Sequence, residues 1–158
     1  MCIRDSPFKA GSRRVSAKLG MTLATLLLPL DVVSTMGNLD VELSGITDDS
    51  REVAQGSLFV AVKGLQVDGH SFVAQVSRQP VGGIVVQAPF QAPSHVGKAG
   101  GPAWIEVENS RKALGRLASR FFQHPSQSMC MVGVTGTNGK TTVAHVSQAV
   151  LELSLIHI

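Results

Sequence analysis

Tyrosine is absent from the chain and tryptophan occurs once, so aromatic residues make up only 4% of it. Proteins that hold single-stranded nucleic acid stack bases on aromatic faces, and this composition offers almost no such platform. Cysteine is scarce as well. Cys2 and Cys130 stand far apart and in no Cys-x-x-Cys spacing, which excludes a small disulfide framework and a cysteine metal motif and suits thiols in a reducing compartment. Charged residues are 16% of the chain, and beyond residue 20 neither sign is in appreciable excess. Residues 1–20 hold five basic side chains and one acidic (+4), whereas residues 21–158 hold nine basic and ten acidic (−1). The formal net charge of +3 therefore belongs to the N-terminal stretch, and the remainder has no electrostatic case for binding nucleic acid. A long hydrophobic run is also missing. The most apolar stretch, Leu19–Leu30, falls short of the roughly 20 residues a membrane span needs.

What is present fits a globular protein. The 158 residues suffice for one ordinary domain but not two comfortable ones, and apolar residues reach 44%. Basic residues up to Lys18 ahead of an apolar run resemble a secretory signal. The following Asp31-Val-Val-Ser-Thr-Met-Gly37 carries no Ala-x-Ala cleavage site, and Leu23, Leu26, Leu27 and Leu30 share one face of a short helix that stops near Pro29. A domain-opening helix is the better reading.

From Val41 onward strands and helices alternate, which makes the class α/β. The apolar runs predict strands at Val41–Thr47, Leu58–Val62, Ile84–Val86, Trp104–Val107 and Met129–Val134. Ser71–Arg78 reads as a short helix with Phe72, Val73 and Val76 inward, and residues 87–102, rich in Pro, Gly and Ala, as a loop. Ser110 or Asn109 caps a helix to Phe122, with Leu114, Leu117, Ala118, Phe121 and Phe122 on its apolar stripe. Arg111, Lys112, Arg116 and Arg120 fall on the other side; that basic stripe has the charge to bind an anion, but a solvated face is the plainer explanation. His124-Pro125-Ser126 breaks the chain into a domain over 21–125 and the start of another over 126–152. Residues 1–20 and 153–158 look foreign to the pattern and are expected to be non-native or, at the N-terminus, disordered.

The segment that carries chemistry is Val132-Gly-Val-Thr-Gly-Thr-Asn-Gly-Lys-Thr-Thr142. A strand delivers a glycine-containing loop, and a helix opens at a lysine followed by two hydroxyls. Gly136 and Gly139 let backbone amides approach a phosphate without a Cβ in the way. The free N–H groups and the dipole of the helix start favour polyanions. Lys140 reaches β- and γ-phosphates as a point charge, and the Thr141 hydroxyl is a ligand for Mg²⁺. The strict phosphate-loop pattern asks for glycine at position 134, where this chain has Val134. A plain glycine turn with Lys140 at the surface would explain a loose match, but the strand-to-helix context favours a nucleotide.

This loop resembles that of the Mur ligase family, ATP-dependent amide ligases of peptidoglycan synthesis. A second block, Ile46-Thr-Asp-Asp-Ser-Arg51, Gly56-Ser-Leu-Phe-Val-Ala-Val-Lys-Gly64 and Asp68-Gly-His70, is similar to the N-terminal domain of members that add the third peptide residue or the terminal dipeptide. Pro125-Ser126 and Thr137 bring it closer to the third-residue members. The resemblance runs from about Met21 to Glu152. It implies an α/β substrate domain, a sheet with flanking helices, followed by the opening strand, phosphate loop and helix of a truncated central ATPase domain. It implies a substrate site at Asp48 and Ser50, with Leu65, Gln66 and Val67 as a second contact loop; Arg51 either meets a phosphate or pairs with Asp49. ATP would be held by Gly136, Thr137, Asn138, Gly139, Lys140, Thr141 and Thr142, with Lys140 as the catalytic charge and Thr141 as a Mg²⁺ ligand.

The implied reaction is phosphoryl transfer from ATP to the D-Glu carboxylate of UDP-N-acetylmuramoyl-L-Ala-D-Glu, followed by attack of a diamino acid, diaminopimelate or lysine, on the acyl phosphate. The resemblance further implies a cytoplasmic monomer that neither binds nucleic acid nor inserts into membrane. The rest of the catalytic machinery would follow residue 152, so the chain alone is expected to be inactive. The rival readings are the dipeptide-adding member and a stand-alone nucleotide-binding module.

Overall fold

The computed structural model describes residues 21–64, 67–98 and 100–155. The expected foreign tail over 1–20, Cys2 with it, and residues 156–158 lie outside the described residues, as do Leu65 and Gln66. The chain divides into two compact units, Met1–His124 and Pro125–Ile158.

In the first unit, five strands form one sheet: β1 (Val32–Met36), β2 (Gly45–Thr47), β3 (Ser57–Val60), β4 (Gly83–Gln87) and β5 (Ala103–Val107), in the spatial order β1-β5-β4-β3-β2. β2 to β5 are mutually parallel, and β1 closes the β5 edge antiparallel. Helices cover both faces, which is why β3, β4 and β5 read as continuous apolar runs rather than as alternating patterns. On one face Leu58, Val60, Val85 and Ile105 meet α1 (Leu23–Leu27) and α3 (Ser110–Phe121), through Leu23, Leu26, Ala113, Leu117 and Phe121. On the other face Phe59, Ile84, Val86 and Trp104 meet α2 (Val73–Val76) and Val96 of the loop before β5. Successive strand residues thus serve opposite cores, as the period of two requires. The starts of α1 and α3 are capped: Thr22 Oγ1 accepts from Thr25 N at 3.4 Å and, of the two caps expected for α3, it is Asn109 whose Oδ1 accepts from Lys112 N at 2.9 Å.

Four expectations need correction. The first strand is Val32–Met36, and Val41–Thr47 yields only Gly45–Thr47 as strand. Its first half turns to the helix instead: Leu23 N bonds Val41 O at 2.9 Å, and Leu43 is buried among α1 side chains. Ser71–Arg78 is a 3-10 turn at Gly69–Phe72 followed by the single turn of α2. Phe122 is not on the buried stripe of α3; it is 44% exposed at the C-cap, and Ala113 completes the stripe.

In the second unit a 3-10 turn at Pro125–Ser128 leads through an irregular segment to the loop and to α4 (Lys140–Leu155). Met129–Val134 forms no strand. A strand exists through hydrogen bonds to a neighbour, and the described residues of this unit include no second strand to supply them. α4 continues three residues beyond the expected Glu152.

Candidate functional site

Parallel strands of an α/β sheet leave a crevice outside their carboxyl ends, and the first unit has a cleft of about 630 Å³ there. The turn that leaves β2 contributes Asp48, Asp49, Ser50 and Arg51; the segment after β3 contributes Val62, Gly64, Val67, Gly69 and Phe72; Arg111 comes from the first turn of α3, just beyond β5. Each wall is held by local bonds. Asp49 N donates to Thr47 Oγ1 at 3.1 Å and Arg51 N to Asp49 Oδ1 at 3.0 Å, two side-chain turns that fold Asp48–Arg51 back on the strand end. Gly64 N donates to Val67 O at 3.0 Å, and a Cβ on Gly64 would lie 2.6 Å from that same carbonyl, so this turn requires glycine.

His70 ties the second wall to the sheet. Its Nδ1 lies 2.6 Å from Asp68 Oδ1, and its Nε2 accepts from Gln87 N at 3.0 Å. Because an amide N–H can only donate, Nε2 is the acceptor and Nδ1 carries the proton. Asp68 is lowered below the ordinary carboxylate range, chiefly by the backbone N–H of His70 and then by its ring.

The sequence left two partners open for Arg51, and the structure pairs it with Asp49. Nη2 donates to Oδ2 at 2.6 Å and Nε to Oδ1 at 2.9 Å. That side-chain bond, with the Arg51 backbone N–H next, lowers Asp49 to about 2. The sign follows: with the folded value below the unfolded one, the pair's contribution is complete above about pH 4 and fades as pH falls toward 2. A carboxyl ¹³C NMR titration should place Asp49 near 2 in the native chain and higher in Arg51→Ala, still below its ordinary 3.8 because alanine keeps the backbone N–H of residue 51; identical midpoints would show that the pair does not form in solution.

Of the expected substrate residues, the structure brings Asp48, Ser50 and Val67 into one cleft, while Leu65 and Gln66 fall outside the described residues. It adds Val62, Phe72 and Arg111. Arg111 counted as part of a solvated basic face in the sequence, yet its Nη2 donates across the cleft wall to Lys63 O at 2.7 Å. Polar groups on one turn facing apolar side chains on another suit a planar heterocycle with a hydrogen-bonding edge.

The phosphate-loop residues lie together in the second unit, all exposed. Gly136 and Gly139 have φ of +145° and +77°, the left-handed region that favours glycine. The first bond of α4 runs from Val143 N to Gly139 O at 2.9 Å, so the N–H groups of the preceding turn have no partner within the helix. Lys140 Nζ donates to the carbonyls of Gly136 and Thr137. Thr141 and Thr142 follow in the first turn of the helix. The donors present fit a polyphosphate. For a divalent cation this chain offers the Thr141 hydroxyl, since among the described residues no three His, Cys, Asp or Glu side chains gather. Among the same residues no helix is long and apolar enough to cross a membrane.

The chain is 36% identical over 131 residues to the UDP-N-acetylmuramoyl-L-alanyl-D-glutamate--2,6-diaminopimelate ligase of Geobacter sulfurreducens, which covers 83% of this chain and 25% of that protein. It is 42% identical over 124 residues to the protein of the same name from Parabacteroides distasonis, covering 78% of this chain and 24% of that one. The chain therefore spans about a quarter of the length of these relatives. Among solved structures, a MurF crystal structure from Acinetobacter baumannii overlaps 64% of this chain and 20% of its own, with 33% identity and a TM-score of 0.46. The family profile described as "Mur ligase family, catalytic domain" matches residues 42–122, half of the chain, and the chain belongs to the Mur ligase family.

Proposed function

We propose that this chain is the nucleotide-sugar-binding part, with the phosphate loop, of an ATP-dependent ligase that joins a diamino acid to UDP-N-acetylmuramoyl-L-Ala-D-Glu. The observation that carries the reading is the convergence of Asp48–Arg51 with Val62, Gly64, Val67, Gly69 and Phe72 on one cleft at the carboxyl ends of β2 and β3. Both segments belong to the second of the two sequence blocks that resemble the family, and open α/β sheets bind nucleotides at such strand ends. The names of the relatives favour 2,6-diaminopimelate as the diamino acid. A soluble monomer in the cytoplasm is the setting that suits substrates of this kind.

The roles of the residues follow from their chemistry. Ser50 offers a hydroxyl, and Asp48 a carboxylate that accepts from ribose or uracil donors. Val62, Val67 and Phe72 exclude water from the ring faces. In the second unit Gly136 and Gly139 shape the loop, the N–H groups of Thr137, Asn138 and Gly139 face polyphosphate oxygens, and Lys140 neutralises charge on the β- and γ-phosphates. Thr141 would hold Mg²⁺, with Thr142 beside it on the same turn. ATP would supply the phosphoryl group that activates the D-Glu carboxylate, and the metal would spread the charge on it. Positioning and charge neutralisation are the work left to these side chains.

Titrating ¹⁵N-labelled chain with UDP-N-acetylmuramic acid should shift amides at 48–51 and 67–72. Mg²⁺-ATP should shift 136–143 instead. Replacing Ser50 by alanine removes one neutral hydrogen bond and should weaken the sugar nucleotide roughly two- to tenfold. Shifts that avoid 48–51, or equal affinities for the two chains, would overturn the site.

A further inference from the structure

We propose that Arg111 holds the diphosphate of the sugar nucleotide, and that Arg51, the arginine inside the resembling motif, does not. The inference rests on the nucleotide reading of the cleft and adds the residue that distinguishes a nucleotide from its nucleoside.

The charges that line the cleft among the described residues are Asp48, Asp49, Arg51 and Arg111. Two of them cancel. The Arg51 fork lies on both oxygens of Asp49, so its planar pair of donors, the feature that suits arginine to phosphate, is already matched by a carboxylate. Arg111 is placed differently. Its Nη2 donates to the carbonyl oxygen of Lys63, a neutral acceptor, so the guanidinium keeps its whole charge. The other N–H donors of the group make no protein bond among the described residues. The carbonyl bond also orients the side chain, which lowers the freedom lost when a ligand is gripped.

The sheet order sets the direction of the ligand. Asp48 and Ser50 leave β2 at one edge, whereas Arg111 follows β5, which lies three strand spacings away, about 14 Å. Its long side chain bridges part of that distance to reach Lys63, just past the end of β3. A carboxylate beside a diphosphate would be repelled, while a carboxylate beside ribose or uracil accepts a hydrogen bond. The nucleoside therefore lies toward Asp48 and Ser50, and the phosphates toward Arg111. Lys63, just past β3 and held through its carbonyl by the same guanidinium, lies between them.

The experiment compares UDP with uridine on the full chain by isothermal titration, for the native protein and for Arg111→Gln, Arg111→Lys and Arg116→Gln. Arg116 sits on α3 paired with Asp31 and away from the cleft, so its variant controls for net charge. Native chain should prefer UDP. Arg111→Gln should weaken UDP roughly ten- to thirtyfold while uridine binds as before. Arg111→Lys should keep part of the preference, since a point charge replaces the fork. Glutamine can still donate to the Lys63 carbonyl, and circular dichroism would verify that each variant is folded. Undiminished UDP binding by Arg111→Gln would overturn the assignment. So would a parallel loss of uridine, which would make Arg111 only a support for the loop, or a native chain with no preference for UDP. A native chain that binds neither ligand would bring down the nucleotide reading and this inference together.

Discussion

Replacing Trp104 with alanine should lower the unfolding free energy of the first unit by about 3–5 kcal/mol, the range for removing a large aromatic from a packed core. Trp104 is fully buried on β5 among Phe59, Ile84, Val86 and Val96, and its ring centroid lies 6.0 Å from that of Phe90. Its indole Nε1 also donates to Glu106 Oε1 at 3.3 Å. The strand keeps neighbours on both sides, so the sheet has little freedom to collapse into the hole, and the cavity term stays near its upper value. Domains are stable by only about 5–15 kcal/mol, so the variant should be partly unfolded near body temperature. Because the chain has a single tryptophan, urea melts should be followed by far-ultraviolet circular dichroism rather than by fluorescence. Trp104→Phe refills most of the volume and should recover most of the loss. An alanine variant that melts within about 1 kcal/mol of the native chain would mean this core is far looser than described.

The second large effect is expected at the phosphate loop. Lys140→Ala should weaken Mg²⁺-ATP binding roughly a hundredfold, equivalent to about 3 kcal/mol, because the variant loses charge-assisted bonds to two phosphate groups. The helix itself should survive, since alanine is the best helix former and Lys140 is its first residue. Amide shifts of α4 that stay in place while ATP affinity collapses would separate binding from folding. Unchanged affinity would return the loop to a glycine turn with a surface lysine.

How far the sequence could be read depended on what each segment packs against. β3, β4 and β5 were legible because burial on both faces leaves contiguous apolar runs, as in Leu58-Phe-Val60. α3 was legible from its cap and stripe. β1 was not: in Val32-Val-Ser-Thr-Met36 the residues lie on an edge, three of them exposed, and nothing in their order separates that from a linker. The apolar Met129–Val134 misled in the opposite direction, since apolarity prepares a strand but only a neighbour makes one. At the cleft, Asp48 and Ser50 were found through their motif. Arg111 was not, because its partner Lys63 lies 48 positions away and helical spacing alone describes it as a solvent-facing cation. His70, left without a role in the sequence, acquires one only when Gln87 is brought against it.

The antiparallel edge has a consequence for synthesis. β1 pairs Val32 with Val107 and Met36 with Trp104, the widest chain separation in the sheet. At roughly 5–20 residues per second, β1 would leave the ribosome on the order of 4–15 s before its partner exists. β2, β3 and β4 arrive during that wait and can begin to pair, while Val33 and Met36, exposed even in the finished sheet, stay in solvent. The strand made first is therefore the last to be seated, and a nascent chain halted before β5 would present β1 with no native edge to join.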